Sequence, residues 1–314
     1  MPIKIPNDLP ASKILKEENI FVMDETRALS QRIRPLKLII VNIMPTKIVT
    51  ETQLLRLLSN TPLQIEVDWL CMESHNSKNT SQEHLMEFYK TFNEIKDNKY
   101  DGLIVTGAPV EKLKFEDVDY WNELTNIFDW ANTNVFSSFF ICWASQASLY
   151  YYYGVEKYQL KEKLTGVYHH HTNPEKMRRR ILRGFDYQFY APHSRYTFVK
   201  KEDIEKIDSL DILASSNDAG VYLVAEKDGS RFFVTGHPEY DPDTLDKEYH
   251  RDLAKGGDCV MPKNYYKNDD VNDEILVKWR SHAYLLFSNW LNYYVYQNTP
   301  YNLDDLLKMK TTNK

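Results

Sequence analysis

Two short stretches hold the residue types that nucleophilic catalysis needs. In FFICWASQASLYYYYG (139–154), Cys142 follows an apolar run and precedes a short polar stretch and four tyrosines. In RFFVTGHPEYD (231–241), His237 and Glu239 follow the apolar run Phe232, Phe233 and Val234. A cysteine nucleophile needs a base to form the thiolate, a group to orient that base, and donors for an oxyanion. Residues two apart in extended backbone point to one side, so His237 and Glu239 project together. The carboxylate could then hold the imidazole in the tautomer whose other nitrogen acts as base.

Each stretch alone has a plainer reading. Free cysteine is among the most buried side chains, and Cys142 could be core filler. A nucleophile elbow usually has glycine two positions either side; here Phe140 and Ala144 stand there. An isolated His-Pro-Glu could be a surface pair at a strand end. The combination is more specific, because both groups would lie at the carboxyl edge of one sheet. A helix beginning near Trp143 would aim its free amides and positive end at the sulfur, with the Trp143 N–H as one oxyanion donor. The turn near Gly107 to Val110 could supply another.

Other candidates are weaker. In TLDKEYHRDLA (244–254), Glu248 and Arg251 share a helix face. They form either a surface ion pair worth little, or a pair in which Arg251 forks onto a substrate carboxylate while Glu248 meets its ammonium. His169, His170 and His171 invite a metal site, yet consecutive residues rarely aim at one ion and no cysteine or carboxylate stands at ligand spacing. A polar loop without metal is expected there. The tyrosines at 150–153 cover every side of a helix and read as packing.

The elements that must position these residues alternate. KLIIVNIMP (37–45), IEVDWLCM (65–72), DGLIVTGAP (101–109) and NVFSSFFIC (134–142) read as strands, separated by helical patterns in KIVTETQLLRLLSN and across 115–132. This predicts an α/β fold, a mostly parallel sheet flanked by helices, with ligands beyond the strands' carboxyl ends. From about residue 180 the segments become short β runs, with Asp228-Gly229 marking a hairpin. EILVKWRSHAYLLFSNWLNYYVYQ reads as a long closing helix. Residues 1–35 read as an N-terminal arm with a helical turn around ASKILKEENI, 36–300 as one α/β domain and 301–314 as a tail.

Bulk properties narrow the function classes. The net charge of −6 is spread along the 314 residues, leaving no basic face for nucleic acid. No apolar stretch is long enough to span a bilayer, and MPIKIPNDLP lacks a signal-peptide core. Three widely separated cysteines do not make a disulfide framework, so a cytoplasmic protein is expected.

FICWASQASLYYYYG, KLTGVYHHH with Lys163, APHSRY with Ser194, VTGHPEYD, and WRSHAYLLFSNWLNYYVYQNTPYNL together resemble the homoserine O-acyltransferase family. The likeness runs from MPIKIP to about residue 303. It implies the class I glutamine-amidotransferase-like, flavodoxin-like three-layer fold and a place in methionine biosynthesis. It also implies that Cys142 carries the acyl group as a thioester, in a ping-pong cycle, with His237 as base and Glu239 orienting it. Lys163, Ser194 and Arg251 match the family's substrate contacts. L-homoserine and acyl-CoA would be the substrates, with no further cofactor, and a homodimer the assembly.

The acyl group turns on Glu111 in GAPVE. By resemblance, glutamate there accompanies acetyl-CoA and a small residue succinyl-CoA. Physically, a fixed carboxylate would repel a succinyl carboxylate and fill its space. Acetyl transfer is therefore expected. The alternatives are succinyl-CoA as donor, L-serine as acceptor (one methylene shorter, worth about 1–3 kcal/mol in a pocket), a glutaminase-type cysteine hydrolase, and a non-catalytic binding module.

Overall fold

The computed structural model describes residues 3–4, 9–17, 34–75, 79–256 and 259–306, so much of the expected arm (1–35) and tail (301–314) lies outside the described residues. A short strand β1 (Ile3–Lys4) and helix α1 (Pro10–Glu17) come first. Then β2 (Leu36–Val41), α2 (Lys47–Leu58), β3 (Ile65–Leu70), α3 (Gln82–Phe88), β4 (Tyr89–Lys90), α4 (Phe92–Ile95) and β5 (Tyr100–Val105) alternate. They continue into α5 (Trp121–Asn134), β6 (Val135–Ile141) and α6 (Trp143–Tyr153). The later half supplies β7 (Lys157–Thr172), β8 (Gln188–Val199), α7 (Lys201–Glu205), β9 (Leu210–Ser216), β10 (Gly220–Glu226) and β11 (Arg231–Val234). Helices α8 (Thr244–Ala254) and α9 (Arg280–Trp290) close the chain.

One 11-stranded sheet runs β1-β3-β2-β5-β6-β11-β10-β9-β7-β8, with β4 also on β3. Pairings from β1 to β11 across β6 are parallel, and β11-β10-β9-β7-β8 is antiparallel. The central parallel strands β2, β5 and β6 are buried on both faces along most of their length, as a sheet covered on both sides requires. Leu38, Ile40, Ile104 and Phe139 join α2 and α9 in one core, while Ile39, Val41, Leu103 and Phe140 join α5 and α6 in the other. This is the expected three-layer α/β architecture. Among the described residues no helix is long and apolar enough to cross a membrane.

Three expectations need correction. The closing helix does not start at Glu274: Leu276 N–H donates to Tyr265 O and the Trp279 indole N–H to Tyr240 O, so this stretch stays extended and α9 begins at Arg280. The last turns, Leu291–Tyr296, widen into π-helix. The helix expected from 115 begins at Trp121, with buried Phe115 held in the preceding turns. His169–His171 is no loop but the end of β7, paired with β8 and β9.

Candidate active site

Parallel register brings the two candidate stretches together. Ile141 pairs with Val234 across β6 and β11, and the Cys142 N–H donates to Val234 O at 2.7 Å. Both chains then leave the sheet at its carboxyl edge. Cys142 sits between β6 and α6 with φ 51° and ψ −114°, a sharp elbow formed without flanking glycines. Such a conformation costs a non-glycine residue roughly 1–3 kcal/mol and marks sites where surrounding structure imposes it. Here buried Phe140 and Ala144 hold both sides of the turn. Trp143 is the first helical residue, so its N–H has no intrahelical acceptor and stays available beside the sulfur.

His237 and Glu239 are buried, and the imidazole Nδ1 meets Glu239 Oε1 at 2.7 Å. The His237 N–H donates to Pro192 O at 2.9 Å, and its ring stacks on Tyr240 at 4.1 Å. Burial works to lower the His237 pKa, but negative charge on Cys142 and Glu239 and hydrogen bonds to both raise it well above its ordinary value. Gly107, in the turn after β5, clears space for the pair: a methyl there would sit 3.3 Å from both Cys142 Cβ and His237 Cε1.

A cavity of about 530 Å³ opens over this pair. Glu111, Lys163, Ser194, Glu248 and Arg251 all line it together with Cys142 and His237. Their pairing differs from the helix-face expectation. Arg251 turns to its neighbour Asp252, with Nε and Nη2 at 3.0 and 2.9 Å from one carboxylate oxygen, and its side chain is 53% exposed. Glu248 instead accepts from Ser194 Oγ at 2.5 Å and Tyr240 Oη at 2.9 Å, with Lys163 Nζ 3.5 Å away. Lys163 also holds Asp252 at 2.8 Å. These carboxylates and cations face one cavity wall, a surface suited to an α-amino acid's two charged groups. Tyr240 and Asp252 are the site members that sequence reasoning missed. Both adjoin residues it singled out, but only the fold turns them inward.

Glu111 is half-buried on the cavity rim. Burial pushes its carboxyl up, while a backbone hydrogen bond, His237 and Lys163 pull it back. Among the described residues no group of three or more His, Cys, Asp or Glu gathers as a metal site. The 150–153 tyrosines pack around α6 and spend their hydroxyls on Glu116, Asp129, Phe128 O and Glu226.

The sequence profile described as homoserine O-succinyltransferase matches residues 2–301. A homoserine O-acetyltransferase from Catenibacterium mitsuokai is 73% identical over 99% of this chain and all of its own length. The chain belongs to the homoserine O-succinyltransferase family. Another member, a homoserine O-acetyltransferase from Acetivibrio thermocellus, is 59% identical over 98% of this chain and 100% of its own. The fold is shared more widely: a glutamine amidotransferase from Thermotoga maritima aligns with TM-score 0.53 at 12% identity, covering 82% of this chain and 98% of that one. Within the homoserine O-succinyltransferase family, then, this chain builds its site on the glutamine-amidotransferase scaffold.

Proposed function

We propose that this protein is a homoserine O-acetyltransferase serving methionine biosynthesis. The full-length relatives that carry this name at up to 73% identity are the observation on which the reading rests. The thiol, imidazole and carboxylate at one sheet edge support a covalent route.

His237 takes the Cys142 proton, and the thiolate attacks the acetyl-CoA thioester carbonyl. The Trp143 N–H faces the oxyanion that forms. Collapse breaks the carbon–sulfur bond to CoA, whose thiolate leaves with the proton from His237. Cys142 is now acetylated. His237 next accepts the homoserine hydroxyl proton as that oxygen attacks the enzyme thioester. Collapse releases O-acetylhomoserine and returns the proton to Cys142. Glu239 holds His237 in one orientation through both halves. Arg251 and Lys163 suit the homoserine carboxylate, and Glu248 with Ser194 its ammonium. Acetyl-CoA is a substrate, and the cycle needs no resident cofactor.

The family profile is described by succinyl transfer, the relatives by acetyl transfer. Glu111 favours acetyl. A succinyl group would have to seat its free carboxylate against it, and no water layer would screen a half-buried pair well. The reading also includes a homodimer in the cytoplasm, which light scattering and fractionation test.

The deciding experiment mixes the protein with acetyl-CoA and measures intact mass. Acetylation of Cys142, discharged by L-homoserine faster than by L-serine or water, is expected. No adduct in the wild type, with none in Cys142→Ala as control, would overturn the covalent route. Ammonia release from glutamine would favour the glutaminase alternative.

A further inference from the structure

Behind the site lies a buried polar chain that the acyl-transfer chemistry does not use. Along β8, Ser194 and Tyr196 face the cavity, whereas His193, Arg195 and Thr197 turn to the interior and are buried. Arg195 donates from Nη1 to Thr197 O at 2.6 Å, from Nη2 to Ala219 O at 2.5 Å, and from Nε towards His193 Nδ1 at 3.4 Å. His193 Nε2 meets His170 Nε2 at 3.0 Å, and His170 Nδ1 meets Tyr168 O at 2.9 Å.

Arginine can only donate, so Nδ1 of His193 accepts and its Nε2 carries the proton. His170 Nε2 then accepts, and its Nδ1–H donates to Tyr168 O. The chain runs one way and needs both rings neutral. Burial pushes both below their ordinary value, His170 to about 3, with Arg195 adding to the effect.

This chain touches three parts of the site. His193 Cε1 lies 3.0 Å from where a methyl on Gly236 would stand, directly beneath the turn into His237. Pro192 O, next to His193, accepts the His237 N–H. Thr197 O receives Arg195 and also Gln146 Nε2 at 3.3 Å, and Thr197 Oγ1 donates to Gln146 Oε1 at 2.8 Å. Gln146 lies in the first turn of the helix that begins after Cys142. Among the described residues no carboxylate hydrogen-bonds Arg195: neutral acceptors hold it and negative charge on Cys142 favours its cation, although burying a cation without a carboxylate is costly. Apolar side chains would fill the same space at lower cost.

We propose that Arg195, His193 and His170 are positioning residues: a one-way hydrogen-bond chain that fixes the His237 turn against the Cys142 helix. The inference rests on the acyl-transfer reading above. Misplacement of reacting groups by about 1 Å is enough to cost ~100-fold in rate.

The test is the single-turnover rate of Cys142 acetylation by acetyl-CoA, followed by rapid-quench mass spectrometry without homoserine. His193→Phe keeps the ring volume but neither hydrogen bond. It should acetylate roughly 10–100-fold more slowly at saturating acetyl-CoA, with the half-saturating concentration within about twofold. His193→Gln offers an acceptor to Arg195 and a donor to His170, and should stay within about threefold of wild type. If His193→Phe does not fold, Arg195→Lys, which cannot reproduce the three-way fork, replaces it with the same expectation. Equal rates in the broken and mimicking variants, or losses in half-saturation alone, overturn the inference. A wild type that never acetylates instead overturns the acyl-transfer reading on which it rests.

Discussion

At the residue scale, two carboxylates near the sulfur have separable duties. Glu239 gives one oxygen to His237, while its other oxygen is buried without a hydrogen-bond partner among the described residues. An amide there keeps the shape but removes the negative charge that helps to raise the His237 pKa. Glu239→Gln should slow both acetylation and discharge by roughly 10²–10⁴-fold, measured in single turnovers. A loss under threefold would remove Glu239 from the orienting role. Glu111 acts on donor choice instead. Because burial pushes its carboxyl up, its bulk contributes alongside its charge. Glu111→Gly removes both, and kcat/KM for succinyl-CoA relative to acetyl-CoA should rise by about tenfold or more, near 1.4 kcal/mol. An unchanged ratio would place donor selection elsewhere in the cavity.

At the element scale, the turn after β5 controls how closely thiol and imidazole approach. Gly107→Ala would insert a methyl 3.3 Å from each, tighter than ordinary van der Waals contact. Acetylation should fall roughly 10–100-fold while the protein still melts cooperatively; wild-type rates would show that the turn yields freely. The strands behind this turn were readable because β-branched and aromatic runs suit a sheet buried on both faces. Their ends were overread, since Met72, at the far end of the IEVDWLCM run, is buried without belonging to the ladder. The place of the elbow, between the apolar run and the helix at Trp143, was readable, but its left-handed backbone was not, because it forms on buried neighbours rather than on glycines. The histidine run looked like loop for a related reason. What makes it strand is the pairing of Tyr168, His169 and His170 with Ala191, Tyr190 and Phe189, which local composition does not display. Likewise, helix spacing put Arg251 beside Glu248, but Lys163 from β7 and Ser194 from β8 reach that carboxylate instead.

At the scale of the whole molecule, the buried histidines should shape stability against pH. His170 is held down to about 3 by burial, helped by Arg195 and by the flanking His169 and His171. In the unfolded chain it would titrate near 6.5. Below about pH 6.5 the unfolded state therefore binds a proton that the folded state refuses, and stability declines as pH falls towards 3. His237 has the opposite sign. Its raised pKa contributes stability that is complete below about 6.5 and is lost as pH rises through the folded value. Acid loss from other groups is removed by comparing variants rather than conditions. From pH 7.5 to pH 5.0 the His170 contribution falls by about 2 kcal/mol. His170→Gln, which keeps a hydrogen-bond acceptor for His193 but cannot titrate, should lose about that much less than wild type over the same interval, read from urea denaturation at both pH values. Equal losses would mean that His170 accepts its proton without leaving the folded state. The one-way chain it forms with His193 and Arg195 would then have to survive two N–H groups facing each other, which the 3.0 Å separation forbids.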